Sequence, residues 1–193
     1  MMIGLIGAHR TGKTTLAKHV ESGVPSIKAI TVNLGQAQSI LGFDSSKQDY
    51  TFKERRTIQD GLLNFMAELY KESAIHYENV IFDRTPLDLI GYTISLANSN
   101  VLDQEDEVWL EDFIRNCNLL TEFYLDKIFL VQPGIDLITD NTTSAPAQKG
   151  YIEHLNYIYA GVITQINYRT RAFIIPRQVT DLDDRAHFVM ANK

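Results

Sequence analysis

The chain has 193 residues, 45% of them hydrophobic, and this is enough apolar content for one sizeable core. We therefore expect a single domain over residues 1–193. The formal net charge of −6 argues against strong non-specific binding to nucleic acid. The sequence contains neither a signal peptide nor a run long enough to span a bilayer, so we expect a soluble, cytoplasmic protein without a membrane partner.

The first element is an apolar run, Met2–Ile6, and the pattern G-x-x-x-x-G-K-S/T follows it at once. A buried strand, a tight turn and a helix beginning near Lys13 would aim successive backbone N–H groups at a phosphate, with the positive end of the helix dipole behind them. Gly7 and Gly12 keep side-chain bulk out of this turn. The residues predicted to bind the nucleotide are Gly7, Ala8, His9, Arg10, Thr11, Gly12, Lys13, Thr14 and Thr15.

This loop predicts binding of a nucleoside triphosphate, with ATP and Mg²⁺ as the expected cofactors. Lys13 would reach the β- and γ-phosphates, and the Thr14 hydroxyl would ligate Mg²⁺. The alternative is a glycine-containing turn with an incidental lysine. The flanking sequence argues against it, because Leu16 and Val20 lie four residues apart on one helical face after the preceding strand.

Further apolar runs predict strands that are buried on both faces, and helical patterns separate them. The helices are expected over residues 57–76, 105–124 and 152–168. This alternation is typical of an α/β fold with a parallel sheet. The five predicted strands are Met2–Ile6, 27–31, 79–82, Lys127–Val131 and Ala172–Ile175.

Two segments, 32–49 and 136–150, lack a regular period and are rich in polar turn-forming residues. Long loops of this kind in a compact domain often serve as lids or binding flaps.

A second group of polar residues, Asp83 and Arg84, comes directly after a predicted strand. Ligands of open parallel sheets bind beyond the carboxyl ends of the strands, so Asp83 would lie beside the loop if the two strands are neighbours. Its carboxylate could hold Mg²⁺ through water or accept a proton, and Arg84 is suited to binding phosphate. The alternative is a helix N-cap at Asp83 or Thr85, with Arg84 in a surface ion pair.

The loop at 7–14, the helix opening at 55–59 and the stretch 83–88 followed by Tyr92 together resemble the P-loop nucleoside and nucleotide kinases. The similarity is greatest to nicotinamide-riboside-kinase-like domains, with thymidylate and deoxynucleoside kinases more distant, and small phage-encoded kinases also resemble this chain. The resemblance implies a three-layer fold with a five-stranded parallel sheet in the order 2-3-1-4-5, flanked by helices. It also implies an acceptor-binding flap at about 32–56 and a lid at about 136–150.

The resemblance further implies functions for individual residues. Lys13, Asp83 and Arg84 match the catalytic positions, and Thr14 and Asp83 match the residues that hold or order Mg²⁺. Lys149 and Arg169 are candidates to replace the lid arginines, which this chain lacks. The residues expected to face the acceptor are Asn33, Arg55, Arg56, Gln59, Arg84 and Asp88.

The leading hypothesis is transfer of a phosphoryl group from ATP, with Mg²⁺, to a nucleoside monophosphate or a nucleoside-like acceptor. Three arginines on the acceptor side favour an anionic acceptor. Phosphorylation of a hydroxymethylated base in phage DNA is an alternative, in the host cytoplasm. A P-loop ATPase or nucleotide-binding switch is another. The oligomeric state is left open, although dimers are frequent among the similar kinases.

Overall fold

The computed structural model describes residues 1–47, 49–98, 100–136, 148–165, 168 and 170–193. Its strands form one parallel sheet in the order β2-β3-β1-β4-β5, as predicted. In the described residues no helix is both long and apolar enough to cross a membrane. The elements in chain order are β1 (Met2–Ile6), α1 (Lys13–Gly23), β2 (Lys28–Thr31), α2 (Leu34–Ile40), α3 (Phe52–His76), β3 (Val80–Asp83), α4 (Pro86–Ala97), α5 (Gln104–Tyr124), β4 (Lys127–Val131), α6 (Lys149–Ile163), β5 (Ala172–Ile175) and α7 (Leu182–Ala191).

Alternate residues of the central strand β1 enter two separate cores, one on each face of the sheet. Ile3 and Leu5 pack with α1 and α7, whereas Met2 and Ile6 pack with helices α3 to α6. The result is the predicted three-layer arrangement of helices, sheet and helices. Burial on both faces explains why the strands are continuous apolar runs rather than alternating patterns.

The register of the sheet brings the ends of three strands together. Leu5 of β1 lies opposite Asp83 of β3, and Asp83 lies opposite Thr31 of β2. The loop that follows β1 and the residues that follow β3 therefore share one edge of the sheet. This confirms the neighbouring placement on which the sequence argument depended.

Three predictions about the helices were wrong. Helix α3 begins at Phe52 rather than at residue 57, because the Thr51 side chain caps it and Glu54 bonds back to the Thr51 backbone. Helix α2 occupies part of the segment 32–49, which was predicted to be an irregular loop, and Asn33 caps its first turn. Helix α6 starts and ends earlier than predicted, at Lys149–Ile163.

Candidate functional site

The loop after β1 has backbone conformations that explain its two glycines. Gly12 has a φ of 88°, in the left-handed region, and it is the last residue before α1. Gly7 has a φ of 152°, and a Cβ placed on it would lie 2.6 Å from the Val131 carbonyl oxygen. Larger residues are therefore disfavoured at both positions. Inside the turn, the Thr11 hydroxyl donates a hydrogen bond to the Ala8 carbonyl at 2.9 Å.

The Lys13 ammonium group is buried within this loop. Its Nζ donates hydrogen bonds to the carbonyl oxygens of Gly7 and Ala8, each at 2.7 Å. Burial, and then repulsion from the Arg84 guanidinium, lower the pKa of Lys13 to about 8. Lys13 thus sits inside the turn, as the motif predicts, with its positive charge poorly hydrated.

Asp83 lies beside the start of α1, and its carboxylate accepts a short hydrogen bond from the Thr14 hydroxyl. Asp83 is not the N-cap of α4, because that position belongs to Thr85. A hydroxyl and a carboxylate side by side supply the oxygen ligands that Mg²⁺ prefers in proteins. The predicted pair therefore fits a magnesium ion that keeps several of its waters.

Arg84 follows with an unusual backbone. Its φ of 90° lies in the left-handed region, where a residue with a long side chain is strained. Its Nη1 donates a 2.7 Å hydrogen bond to the Tyr92 hydroxyl on α4, so Arg84 is not the surface ion pair considered above. The strained backbone and the Tyr92 contact together orient the guanidinium toward the cavity that it lines.

Asp88 lies beneath the loop rather than in the cavity lining, although it was predicted to face the acceptor. Its side chain is fully buried and accepts from the backbone N–H and the hydroxyl of Thr85, at 2.7 and 3.1 Å. Its other oxygen accepts from the Gly7 N–H at 3.4 Å. Burial raises the pKa of Asp88, while the charges of Lys13 and Arg84 act against that rise. Asp88 ties the start of α4 to the start of the loop.

A cavity of about 740 Å³ runs from the loop to helices α3 and α4. Of the predicted loop residues, His9, Arg10, Gly12, Lys13, Thr14 and Thr15 line it. Gly7, Ala8 and Thr11 are not in its lining, and the side chains of Ala8 and Thr11 are buried. Within the described lining, Asp83 is the sole carboxylate. Four basic side chains accompany it, those of Arg10, Lys13, Arg55 and Arg84. The cavity is therefore suited to anionic ligands.

Asn33, at the N-cap of α2, and Arg55 and Gln59 of α3 line the part of the cavity beside these helices. Gln59 is 7% exposed, and its Oε1 has no hydrogen-bond partner among the described residues. A buried acceptor without a partner is unfavourable unless a ligand supplies the donor. The Gln59 oxygen is thus a candidate to accept a hydrogen bond from a ligand at this wall of the cavity.

Arg56 and Lys149 do not line the cavity. The Arg56 guanidinium turns to α5, where it donates to Asp106 at 2.8 Å and to Glu105 at 2.9 Å. Because α3 begins at Phe52, Arg56 also lies in the second turn of the helix rather than at its start. Arg169 and most of the predicted lid, residues 137–147, lie outside the described residues.

The structure adds two contacts of the loop that the sequence did not indicate. His9, one of the predicted loop residues, is only 5% exposed, and its ring centroid lies 5.6 Å from that of Tyr151 on α6. Arg185 of α7 donates to the Thr11 carbonyl at 3.0 Å. No local pattern could have indicated a contact between residues so distant in the chain.

Comparison with solved structures places this geometry in a known fold. Deoxyadenosine kinase from M. mycoides, with the products dCMP and dCDP bound, superposes with a TM-score of 0.73 at 21% identity, covering 99% of this chain and 97% of the kinase. Neither a family model nor a curated protein matches the sequence. The chain has the P-loop kinase fold.

Two other structures with the P-loop kinase fold support this assignment. Thymidylate kinase from Candida albicans has a TM-score of 0.68 at 12% identity, covering 98% of this chain and 89% of that enzyme. NadR protein in complex with NR has a TM-score of 0.72 at 14% identity, covering 98% of this chain but 50% of NadR. The predicted fold and strand order are therefore confirmed.

Proposed function

We propose that the chain is a phosphotransferase that moves the γ-phosphoryl group of ATP to a nucleoside monophosphate. The observation that carries this proposal is the charge of the cavity, in which four cationic side chains face one carboxylate. An ATP donor and a phosphorylated acceptor would together supply the anionic charge that such a lining binds. The M. mycoides deoxyadenosine kinase of the same fold holds dCMP and dCDP as products, so a site of this fold accommodates two nucleotides at once.

The donor would bind on the loop side of the cavity. The loop N–H groups and Lys13 would hold the β- and γ-phosphates, as the motif predicts. Thr14 and Asp83 would hold Mg²⁺, which when bound neutralises charge on those phosphates. Lys13 already has its ammonium group in the turn, so little reorganisation is needed when the phosphates arrive.

The acceptor would bind on the side of α3 and α4. Arg84 and Arg55 would bind its phosphate, and the Gln59 amide would hydrogen-bond to the base. An oxygen of the acceptor phosphate attacks the γ-phosphorus while the bond to the bridging oxygen of ADP breaks, and the arginines stabilise the charge on the transferring group.

The position of Asp83 favours a phosphate acceptor over a hydroxyl acceptor. A hydroxyl must lose a proton as it attacks, whereas a monophosphate at neutral pH is already ionised. Asp83 is the sole carboxylate in the described lining, and it is engaged by the Thr14 hydroxyl. We therefore assign Asp83 to ordering Mg²⁺ rather than to acting as a general base.

The test is a panel of nucleosides and nucleoside monophosphates incubated with labelled ATP and Mg²⁺. We expect transfer to at least one monophosphate, and weaker transfer to the matching nucleoside. Arg84→Gln should raise KM for the monophosphate and lower kcat, while Arg115→Gln on the exposed face of α5 controls for the loss of one charge.

Other outcomes of the same panel would contradict the proposal. Transfer to hydroxymethyl-containing DNA alone would favour a DNA-base kinase instead. Fast ATP hydrolysis that no acceptor changes would favour an ATPase or nucleotide-binding switch. Transfer to nucleosides with none to monophosphates would refute the assignment of Asp83.

A further inference from the structure

Helix α7 contributes a buried arginine to the outside of the phosphate-binding loop. Arg185 is 2% exposed, and its Nη1 donates to the Thr11 carbonyl across 174 positions of the chain. Its Nε donates to the Val179 carbonyl at 2.7 Å. A Cβ on Gly12 would lie 3.3 Å from the same Nη1, so the guanidinium rests directly against the turn.

Among the described residues, Arg185 differs from Lys13 and Arg84 in that no carboxylate acts on it, whereas the charges of Asp83 and Asp88 act on both of those cations. Over the described part of the chain, no carboxylate lies within ion-pair distance of it, and its Nη2 is buried without a hydrogen-bond acceptor. Burial lowers the pKa of Arg185, with no opposing charge to raise it. By contrast, Arg56 and Arg177 each form hydrogen-bonded ion pairs with carboxylates.

A desolvated cation without a counter-charge is unfavourable for folding, and an anionic ligand beside it would supply the missing charge. The nearest feature that binds anions is the loop itself, whose Thr11 carbonyl and Gly12 backbone the guanidinium contacts. The hydrogen bond from Arg185 to the Thr11 carbonyl leaves the amide groups of the turn available to a phosphate.

We propose that Arg185 is a positioning residue of the donor site, which fixes the loop backbone through Thr11 and places a buried positive charge beside the phosphates of the donor. This rests on the proposed function only in so far as the loop binds a nucleoside triphosphate. It makes α7 part of the donor site, although α7 contributes no residue to the described cavity lining.

The contact also predicts how the effect should depend on the ligand. A purely structural arginine would affect all ligands of the fold alike. A charge beside the phosphates should instead favour ligands with more phosphates, and because this charge is buried, added salt should weaken its effect only slightly. Acceptor binding, on the far side of the cavity, should change little.

The test is isothermal titration calorimetry of Arg185→Gln and Arg185→Lys with MgATP, MgADP and magnesium tripolyphosphate at two salt concentrations. We expect Arg185→Gln to raise Kd for MgATP and tripolyphosphate by about tenfold, with a smaller rise for MgADP. Arg185→Lys keeps the charge but cannot form both hydrogen bonds, so we expect an intermediate rise. Arg115→Gln, which removes an exposed arginine of α5, is the matched control and should bind as wild type does.

Unchanged Kd values in a folded Arg185→Gln variant would overturn the proposal. So would an equal weakening for all three ligands. If Arg185→Gln fails to fold, Arg185→Lys decides, because wild-type affinity for tripolyphosphate in that variant would show that the bonds to the loop do not matter. Failure of the wild-type protein to bind MgATP would instead refute the proposed function, and the calorimetry needs no acceptor.

Discussion

The buried ammonium group of Lys13 allows a quantitative test of the loop geometry. Its pKa is lowered from 10.5 to about 8, chiefly by burial. Between those two values the unfolded chain holds a proton that the folded chain has lost, so the free energy of unfolding must rise with pH. At roughly 1.4 kcal/mol for each pH unit, the difference corresponds to about 3 kcal/mol.

The experiment is urea unfolding, followed by circular dichroism, of the wild type and of Lys13→Met from about pH 7 to about pH 10.5. Subtracting one free energy of unfolding from the other cancels the contribution that the titration of the other groups makes to the pH dependence. We expect this difference to be constant below about pH 8 and then to shift in favour of the wild type, by about 3 kcal/mol in all. Lys18→Met, at an exposed position of the same helix, should parallel the wild type throughout.

A bound anion should shift the pH at which this difference in the free energy of unfolding begins to change. Tripolyphosphate beside Lys13 would favour the charged ammonium group, so the rise should begin at a higher pH when the ligand is present. A difference that is flat with pH would refute the reasoning, because it would mean that Lys13 is not desolvated in the loop. A transition that tripolyphosphate leaves unmoved would refute its placement beside the phosphates.

Three further outcomes are expected. Asp83→Asn should lower kcat by about 10²–10³-fold and raise the Mg²⁺ concentration needed for half-maximal turnover, because the amide can still accept from the Thr14 hydroxyl but carries no charge. Gln59→Leu should raise KM for the acceptor by about tenfold in steady-state assays while leaving stability in urea equal or higher, because it removes a buried unpaired oxygen. Gly91→Ala should destabilise the fold by about 1–3 kcal/mol in urea, because its Cβ would lie 2.1 Å from the Tyr159 ring.

Each of these expectations can fail in a recognisable way. Wild-type turnover by Asp83→Asn at limiting Mg²⁺ would remove Asp83 from the metal site. An unchanged acceptor KM in Gln59→Leu would show that the α3 wall does not contact the base. Wild-type stability of Gly91→Ala would mean that the Tyr159 ring moves freely, and Gly23→Ala is its control, because no atom lies within 4 Å of a Cβ there.

The loop after β1 and the strands could be predicted because their signals are local, whereas the strand order was implied by the resemblance to the P-loop kinases. The G-x-x-x-x-G-K-S/T pattern needs its glycines for backbone conformations that the structure shows, and fully buried parallel strands need continuous apolar runs. The start of α3 also carries a local signal, because a threonine three residues before a glutamate is the pattern of a capping box.

What the sequence by itself determined is thus the loop that we propose to bind the donor, since one short segment contains nearly all of it. The tertiary structure decided which polar residues reach the cavity. Asp88 turns under the loop, Arg56 pairs with α5, and Arg185 comes from α7 to hold Thr11. A side chain's direction depends on how its helix packs against other elements, and contacts across 50 to 174 positions leave no periodic trace in the sequence.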